Sequence, residues 1–272
     1  MNSHNFLKYL VLFSIALLPI SLSANSGNGI PAETKPSADV TLSFVRPGQI
    51  AKVNVREGDS VNIGDILVQQ DDSVEKVSLA ILEVESKDKT QIQAAEARLE
   101  QSKIDLKRRE DKPLAVTASE IDYARLNMNI AELSLRLTIL ENEQAQKKYE
   151  EAKLQIERMS LKSPIEGWIE KIEIETGESV NALDDVVRVV RIDPLWIDVD
   201  IPLTQRDNLK YGDTAMVEFS TPDITNVEGT VIFIPAVADF ASTTIRIRIQ
   251  VPNKTNRPAG ERVLVTLPTT KP

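Results

Sequence analysis

Two acidic doublets, Asp71-Asp72 and Asp184-Asp185, are the first places where this chain could do chemistry. Paired carboxylates can share a proton or hold a divalent cation. Neither doublet has the company it would need. The chain contains no cysteine, and its single histidine is His4. After Met1 the only methionines are Met128, Met159 and Met216. Without imidazole or thiolate there is no Ser–His or Cys–His nucleophile pair and no usual transition-metal ligand set. Disulfides are excluded as well. Loop carboxylates without such partners are expected to be solvated rather than metal-bound. Trp168 and Trp196 fall in β-type runs and are expected in a core or at a domain junction rather than on a ligand. The expectation is a non-enzyme with no catalytic residue, no cofactor and no metal.

The next step is to ask what such a chain builds. Residues 1–24 carry one lysine, Lys8, then an apolar run from Tyr9 to Leu22 and small residues at Ser21, Ser23 and Ala24. That order is a secretory signal peptide. The apolar run is shorter than the roughly 20 residues that span a bilayer. Cleavage removes His4 and leaves about 248 residues, enough for two or three small domains. The formal net charge of −9, without a basic stripe, argues against nucleic acid. The predicted location is the periplasm, reached by export, with contact to the inner membrane only through a partner.

Beyond the signal peptide, residues 25–39 are rich in Gly, Pro, Ser and Asn and read as a flexible lead-in. Short β-type runs punctuated by glycine occupy 40–72. Residues 73–160 contain no glycine, and Pro113 is their only proline; Glu, Lys, Gln, Ala and Leu dominate, which favours helix. The β-pattern returns over 161–193, and a longer β-rich region follows over 194–268, with a tail at 269–272.

Pro113 predicts a single break in the helical stretch, and Ser119 with Asp122 reads as a capping-box restart. The second arm then carries a heptad ladder: Tyr123, Ile130 and Leu137 in one row, Leu126, Leu133, Leu140 and Leu154 in the other. Ala124, Ala131, Ala145 and Ala152 flank it. Ile92, Ala95, Leu99 and Leu106 form the partner stripe on the first arm. The ladder is expected to be the buried seam of an antiparallel coiled-coil hairpin. At about 1.5 Å per residue such a rod is about 55 Å long.

The two β segments that flank the hairpin repeat each other. Gly48-Gln-Ile50-Ala-Lys-Val53-Asn-Val55-Arg-Glu-Gly58-Asp-Ser-Val61 matches Gly167-Trp-Ile169-Glu-Lys-Ile172-Glu-Ile174-Glu-Thr-Gly177-Glu-Ser-Val180. Glycines, β-branched residues and the acidic-Ser-Val ending keep the same offsets. Matched halves of this kind predict a pseudo-symmetric sandwich in which each half supplies strands to both layers.

These halves resemble those of a biotinyl/lipoyl domain. Leu161-Lys-Ser-Pro-Ile-Glu-Gly-Trp-Ile169 resembles the segment that re-enters this domain in HlyD-like and RND-type efflux adaptors, the membrane fusion proteins. Pro194-Leu-Trp-Ile-Asp-Val-Asp-Ile201, Leu209-Lys-Tyr-Gly-Asp213, Gly229-Thr-Val-Ile-Phe-Ile-Pro235 and Thr243-Thr-Ile-Arg-Ile-Arg248 are similar to stretches of their β-barrel domain. The resemblance covers roughly residues 40–268. It implies a mixed α and β, elongated fold: a lipoyl-like β-sandwich split by an antiparallel α-hairpin, followed by a small β-barrel. The chain ends a few residues after the barrel, so the family's membrane-proximal domain is expected to be absent.

A carrier domain presents a lysine at its central turn. The corresponding stretch here, Gln69-Gln-Asp-Asp-Ser73, has none, and Lys52 and Lys171 fall within strands. The resemblance therefore implies a scaffold, a periplasmic adaptor bridging an inner-membrane transporter, RND type favoured, and an outer-membrane TolC-like channel, working as a homo-oligomeric ring. The alternative reading is a periplasmic regulatory or binding module, a truncated adaptor paralogue that does not itself bridge the membranes. In RND-type adaptors the hairpin tip docks through an arginine, a leucine four residues on and a serine seven further on. Arg108 and Ser119 match two of these positions; Lys112 stands at the middle one, with Leu114 nearby. Those four residues are the candidate docking tip.

Overall fold

The computed structural model describes residues 29–111, 117–220, 224–239 and 241–268. The stretch expected to be a signal peptide, residues 1–24, and the tail at 269–272 lie outside them. Two apolar cores organise the β-structure, one in a sandwich and one in a barrel.

The lead-in is not a free linker. Ile30–Ser43 is one long strand, β1. Its partners are β12 (Arg262–Thr266) and β8 (Asp185–Pro202), both far away in sequence, so local composition could not reveal them. Its polar residues are used: Thr34 and Ser37 are buried, Ser37 Oγ donating to the Arg191 carbonyl at 3.2 Å. Pro36, which has no N–H to give, sits beside a register shift between Pro36 and Ala38. β1 and β8 thus form one continuous two-stranded ribbon, paired from Glu33–Asp198 to Ser43–Asp185. One end of the ribbon belongs to the barrel and the other to the sandwich.

The barrel closes in the order β1, β12, β9 (Thr214–Phe219), β10 (Thr225–Phe233), β11 (Thr244–Val251), β8 and back to β1. Alternate residues point inward: Ile245, Ile247, Ile249 and Val251 on β11 meet Ile197, Val199 and Ile201 on β8, all buried.

In the sandwich, β2 (Gly48–Val53), β3 (Ser60–Val61) and β4 (Ile66–Gln70) repeat as β6 (Gly167–Ile172), β7 (Ser179–Val180) and the first part of β8. The halves exchange partners. β2 pairs with β7, and β3 pairs with β6. The exchange extends to single bonds: Gly58 N donates to Ile169 O and Gly177 N to Ile50 O, both at 2.8 Å. Ile50, Leu67, Val68, Ile169, Val187 and Val189 fill the space between layers. The repeat seen in the sequence is this pseudo-symmetry.

The hairpin has three helices rather than two: α1 (Ser73–Lys87), α2 (Thr90–Glu110) and α3 (Ala118–Glu157). The first arm is broken at Asp88, whose backbone is extended. Its carboxylate accepts a 2.8 Å bond from Thr90 N and so restarts the helix. Asx-type starts of this kind need neither glycine nor proline, and the composition gave no warning. At 40 residues, α3 is about 60 Å long.

The seam between the arms also differs from expectation. On α3 the sheltered positions are Ile121, Ala124, Met128, Ala131, Leu135, Thr138 and Asn142, spaced three and four apart. The flanking alanines are therefore in the seam, facing Ala95, Leu99 and Leu106 of α2. The leucine ladder faces away: Tyr123, Leu126, Ile130, Leu133, Leu137 and Leu140 are each 47–65% exposed. Both sets have heptad spacing, and the smaller side chains, not the expected leucine ladder, take the seam. A seam of small side chains lets the two arms approach closely.

Candidate functional site

The root of the hairpin is set into the sandwich with several bonds. β4 ends at Gln70 and α1 begins at Ser73, so the helix leaves at the turn that would carry a cofactor lysine. Gln70 is buried; its N donates to Met159 O at 2.9 Å and its side-chain amide to Arg46 O at 3.1 Å. β5 (Ser160–Lys162) pairs with β4, closing the root from the returning arm.

The acidic doublets serve this architecture. Asp71 accepts from the hydroxyl and the backbone N of Ser73, and those bonds hold its carboxyl below the usual range. Asp72 is buried beside Lys76 at 2.9 Å and accepts from Gln69 at 3.3 Å. Asp184 accepts from Asn181 N at 2.9 Å, as Asp65 does from Asn62 N at 2.7 Å in the other half. Among the described residues no group of three His, Cys, Asp or Glu could hold a metal ion. Lys52 lies within β2 and Lys171 within β6, so neither stands at a turn.

Of the candidate tip residues, Arg108 is exposed on the last turns of α2, and Ser119 is exposed in the first turn of α3. Lys112 and Leu114 lie outside the described residues. The N-cap of α3 is Thr117, not Ser119. Thr117 Oγ1 accepts from Glu120 N at 3.3 Å, and Glu120 accepts from Thr117 N at 2.8 Å, which keeps the Glu120 carboxyl low. Both Thr-x-x-Glu and Ser-x-x-Asp fit the sequence pattern; the longer glutamate reaches back to the cap. Arg125, unremarked in the sequence, ties the arms together just below the tip, bonding Glu110 at 3.0 Å across the hairpin and Asp122 at 3.6 Å along α3.

On the barrel, charge is arranged in cross-strand register. Arg246 faces Asp200 at 3.0 Å, and Arg248 faces Asp198 at 2.7 Å, with Lys35 on Asp198 from the other side at 3.1 Å. Burial pushes the Asp198 carboxyl up, but Arg248 and Lys35 outweigh it and hold it low. The Arg248 guanidinium also lies 4.5 Å from the Trp196 ring centre. Trp196 is half-buried in β8, with an indole N–H that is buried and unbonded among the described residues. Trp168 is half-buried in β6, opposite Val190 and Ser60. Both tryptophans lie within strands of the β-structure. Beside the charged pairs, Phe233 and Val237 stand exposed.

A split sandwich with a helical hairpin at its cofactor turn, ribboned to a six-stranded barrel, is a known combination. Residues 39–192 match the family described as the RND MFP barrel-sandwich hybrid domain. The chain belongs to the membrane fusion proteins, the adaptor family of efflux systems. Residues 194–261 match the CusB-like beta-barrel domain. The multidrug export protein EmrA of Haemophilus influenzae is 28% identical over 215 residues, 66% of this chain and 55% of EmrA. The multidrug resistance protein MdtE of Escherichia coli is 27% identical over 250 residues, 85% of this chain and 61% of MdtE. The chain thus spans little more than half the length of these relatives. The crystal structure of MacA from Actinobacillus actinomycetemcomitans shares the fold: TM-score 0.67 at 15% identity, over 88% of this chain and 77% of MacA. The adaptors of this family are non-enzymatic. Among the described residues of this membrane fusion protein, no helix is long and apolar enough to cross a membrane.

Proposed function

We propose that this membrane fusion protein is the periplasmic adaptor of a tripartite efflux or secretion system, coupling an inner-membrane transporter of RND type to a TolC-like outer-membrane channel. The observation that carries the reading is the position of the hairpin. It springs from the turn at Gln70–Ser73, where a carrier domain would present its lysine, and reaches about 60 Å away from the sandwich. A projection that long, rooted by buried bonds and adding nothing to either β core, is suited to reaching another protein. The β1–β8 ribbon fastens the sandwich to the barrel, so a load on the hairpin is passed to the barrel through main-chain hydrogen bonds. The barrel is the part assigned to the transporter, and Arg108, Lys112, Leu114 and Ser119 are the part assigned to the channel. The RND label of the matching family supports the transporter class. Export by the signal peptide at 1–24 would deliver the chain to the periplasm.

The test is site-specific crosslinking in intact cells, with Arg108→Cys and Ser119→Cys each introduced into the cysteine-free chain. Crosslinks to the outer-membrane channel from both positions, together with loss of export when Arg108 is changed to Glu, are the expected result. Undiminished export and no crosslink at either position would overturn the assignment of the tip.

A further inference from the structure

We infer that the cavity at the root of the hairpin is a binding site for a small protonated oxyanion, and that inorganic phosphate fills it. Neither the hairpin tip nor the barrel takes part, so the site goes beyond the adaptor reading.

The cavity has a volume of about 240 Å³ and lies where the returning arm meets the sandwich. Its walls come from three separate stretches of chain. Val45 and Arg46 belong to the loop between β1 and β2, and Gln70 to the end of β4. Gln155, Arg158 and Met159 belong to the last turn of α3 and the residues that follow it. Drug-sized ligands need about 300–1,000 Å³, so this space suits something smaller.

Two arginines line it, and neither has a counter-charge. Arg46 and Arg158 form no ion pair among the described residues. Arg46 is held instead by a neutral group, its Nη1 donating to Gln155 Oε1 at 3.2 Å. Gln155 in turn donates to Glu151 at 3.3 Å, so the carboxylate in this chain of bonds is engaged by the amide and not by either arginine. Two guanidiniums gathered at one small cavity repel each other unless an anion lies between them. Their planar forks offer paired N–H donors of the kind that oxyanions accept.

The third wall selects among anions. Gln70 is 2% exposed, and its amide nitrogen donates to Arg46 O at 3.1 Å, which fixes the side chain against the arginine loop. Its Oε1 accepts no hydrogen bond among the described residues. The one side-chain atom both sealed and unbonded among those residues is the Trp196 indole nitrogen, so Gln70 Oε1 keeps access to the cavity that it lines. A buried acceptor left open beside two arginines is satisfied by a ligand that brings negative oxygens and an O–H together. Inorganic phosphate keeps at least one proton at neutral pH and meets both demands. Sulfate has the same shape and no proton to give. Bound phosphate would join the β1–β2 loop of the sandwich to the end of α3 and so brace the root of the hairpin.

Isothermal titration of the purified protein at constant ionic strength tests the site. Phosphate should bind once per chain, and sulfate about tenfold more weakly, the scale of one hydrogen bond of about 1.4 kcal/mol. Arg46→Gln and Arg158→Gln should each weaken phosphate by about tenfold or more, whereas Arg136→Gln on the distal arm should leave it unchanged. All three arginines are exposed, so the fold should persist, and circular dichroism checks that it does. Phosphate should also slow amide exchange at residues 157–160 in the unaltered chain and not in Arg158→Gln. Co-sedimentation with phosphatidic acid vesicles separates free phosphate from a lipid headgroup. Pelleting that needs both arginines would move the site to a lipid and overturn the choice of ligand. No saturable binding at millimolar phosphate, equal affinity for sulfate, or an affinity indifferent to both arginines overturns the inference. None of these measurements involves a transporter or channel, so they stand apart from the test of the adaptor role.

Discussion

The side-chain amide of Asn142 donates to the main-chain carbonyl of Asp88 at 3.1 Å, joining the middle of the long helix to the break in the opposite arm. The same amide reaches Ser86 O at 3.3 Å. The break frees carbonyls that a continuous helix would have used, and Asn142 occupies the seam position opposite them. The two bonds tie the arms together at that level of the rod.

Replacing Asn142 by Ala should loosen the rod at one level only. We expect a loss of about 1 kcal/mol in local stability, the net value of such hydrogen bonds near solvent. Amide exchange should speed up over residues 84–92 and stay unchanged in the barrel. Uniform acceleration along both arms would instead mean that Asn142 sets the register of the whole hairpin.

In the second half of the sandwich β6 and β8 run so close together that one glycine has no room for a side chain. A Cβ on Gly167 would collide with the backbone carbonyl of Val190, whereas one on Gly58 would meet nothing within 4 Å. Gly167→Ala is therefore expected to destabilise the sandwich by about 2–3 kcal/mol, in the range for overpacking against a part that cannot move. Gly58→Ala is strained only by its positive φ of 86°, which predicts about 1–2 kcal/mol. Denaturant midpoints of the two variants should rank in that order, and the reverse ranking would contradict the close approach of β6 and β8 at Gly167.

Acid should weaken the fold through identifiable carboxylates. Asp39 is held low by hydrogen bonds from the Arg188 guanidinium, at 2.8 and 2.6 Å. Asp198 is held low by Arg248 and Lys35 against the opposing effect of burial. A carboxyl whose folded pKa lies below its unfolded value stabilises the fold fully above the unfolded value of about 3.9. That contribution is lost as pH falls through the lower folded value. The denaturant midpoint should be flat from neutrality down to about pH 5 and then fall steeply. Asp198→Asn should lower the midpoint at neutral pH and flatten the acid limb. An unchanged acid limb would remove Asp198 from this account.

Sequence and structure agree most where the pattern is repeated and local, and least where partners are distant or patterns compete. The strand exchange followed from matched glycines and β-branched residues at Gly48–Val61 and Gly167–Val180, because both halves obey the same turn chemistry. β1 was hidden, since Thr34 and Ser37 become strand residues only when Glu261 and Arg191 are brought to them. On α3 the difficulty was a choice between two legible seams. Leucines and alanines keep the same heptad spacing, and the close approach of the arms favours the alanines. At the tip, Thr117 and Ser119 both suit a cap, and the reach of Glu120 compared with Asp122 decides between them.

The repeat makes one further prediction, at a position where its halves differ. Gly64 sits sixteen residues after Gly48, and Leu183 sits sixteen after Gly167. Both adopt left-handed backbone, at φ 90° and 68°, so the turn keeps its shape although only one half uses glycine. Leu183 gains nothing in return from packing, being 73% exposed, and its N–H is already bonded to Phe44 O at 2.8 Å. A left-handed leucine costs about 1–2 kcal/mol, while glycine adds about 0.4–1 kcal/mol of unfolded-chain entropy that folding must overcome. Leu183→Gly should therefore raise stability by about 0.5–1 kcal/mol, and Gly64→Leu should lower it by a similar amount. Chemical denaturation of the two variants measures both. If Leu183→Gly is destabilising instead, the leucine side chain contributes more to the folded chain than its exposure implies, and the cost of left-handed backbone at this turn is smaller than argued.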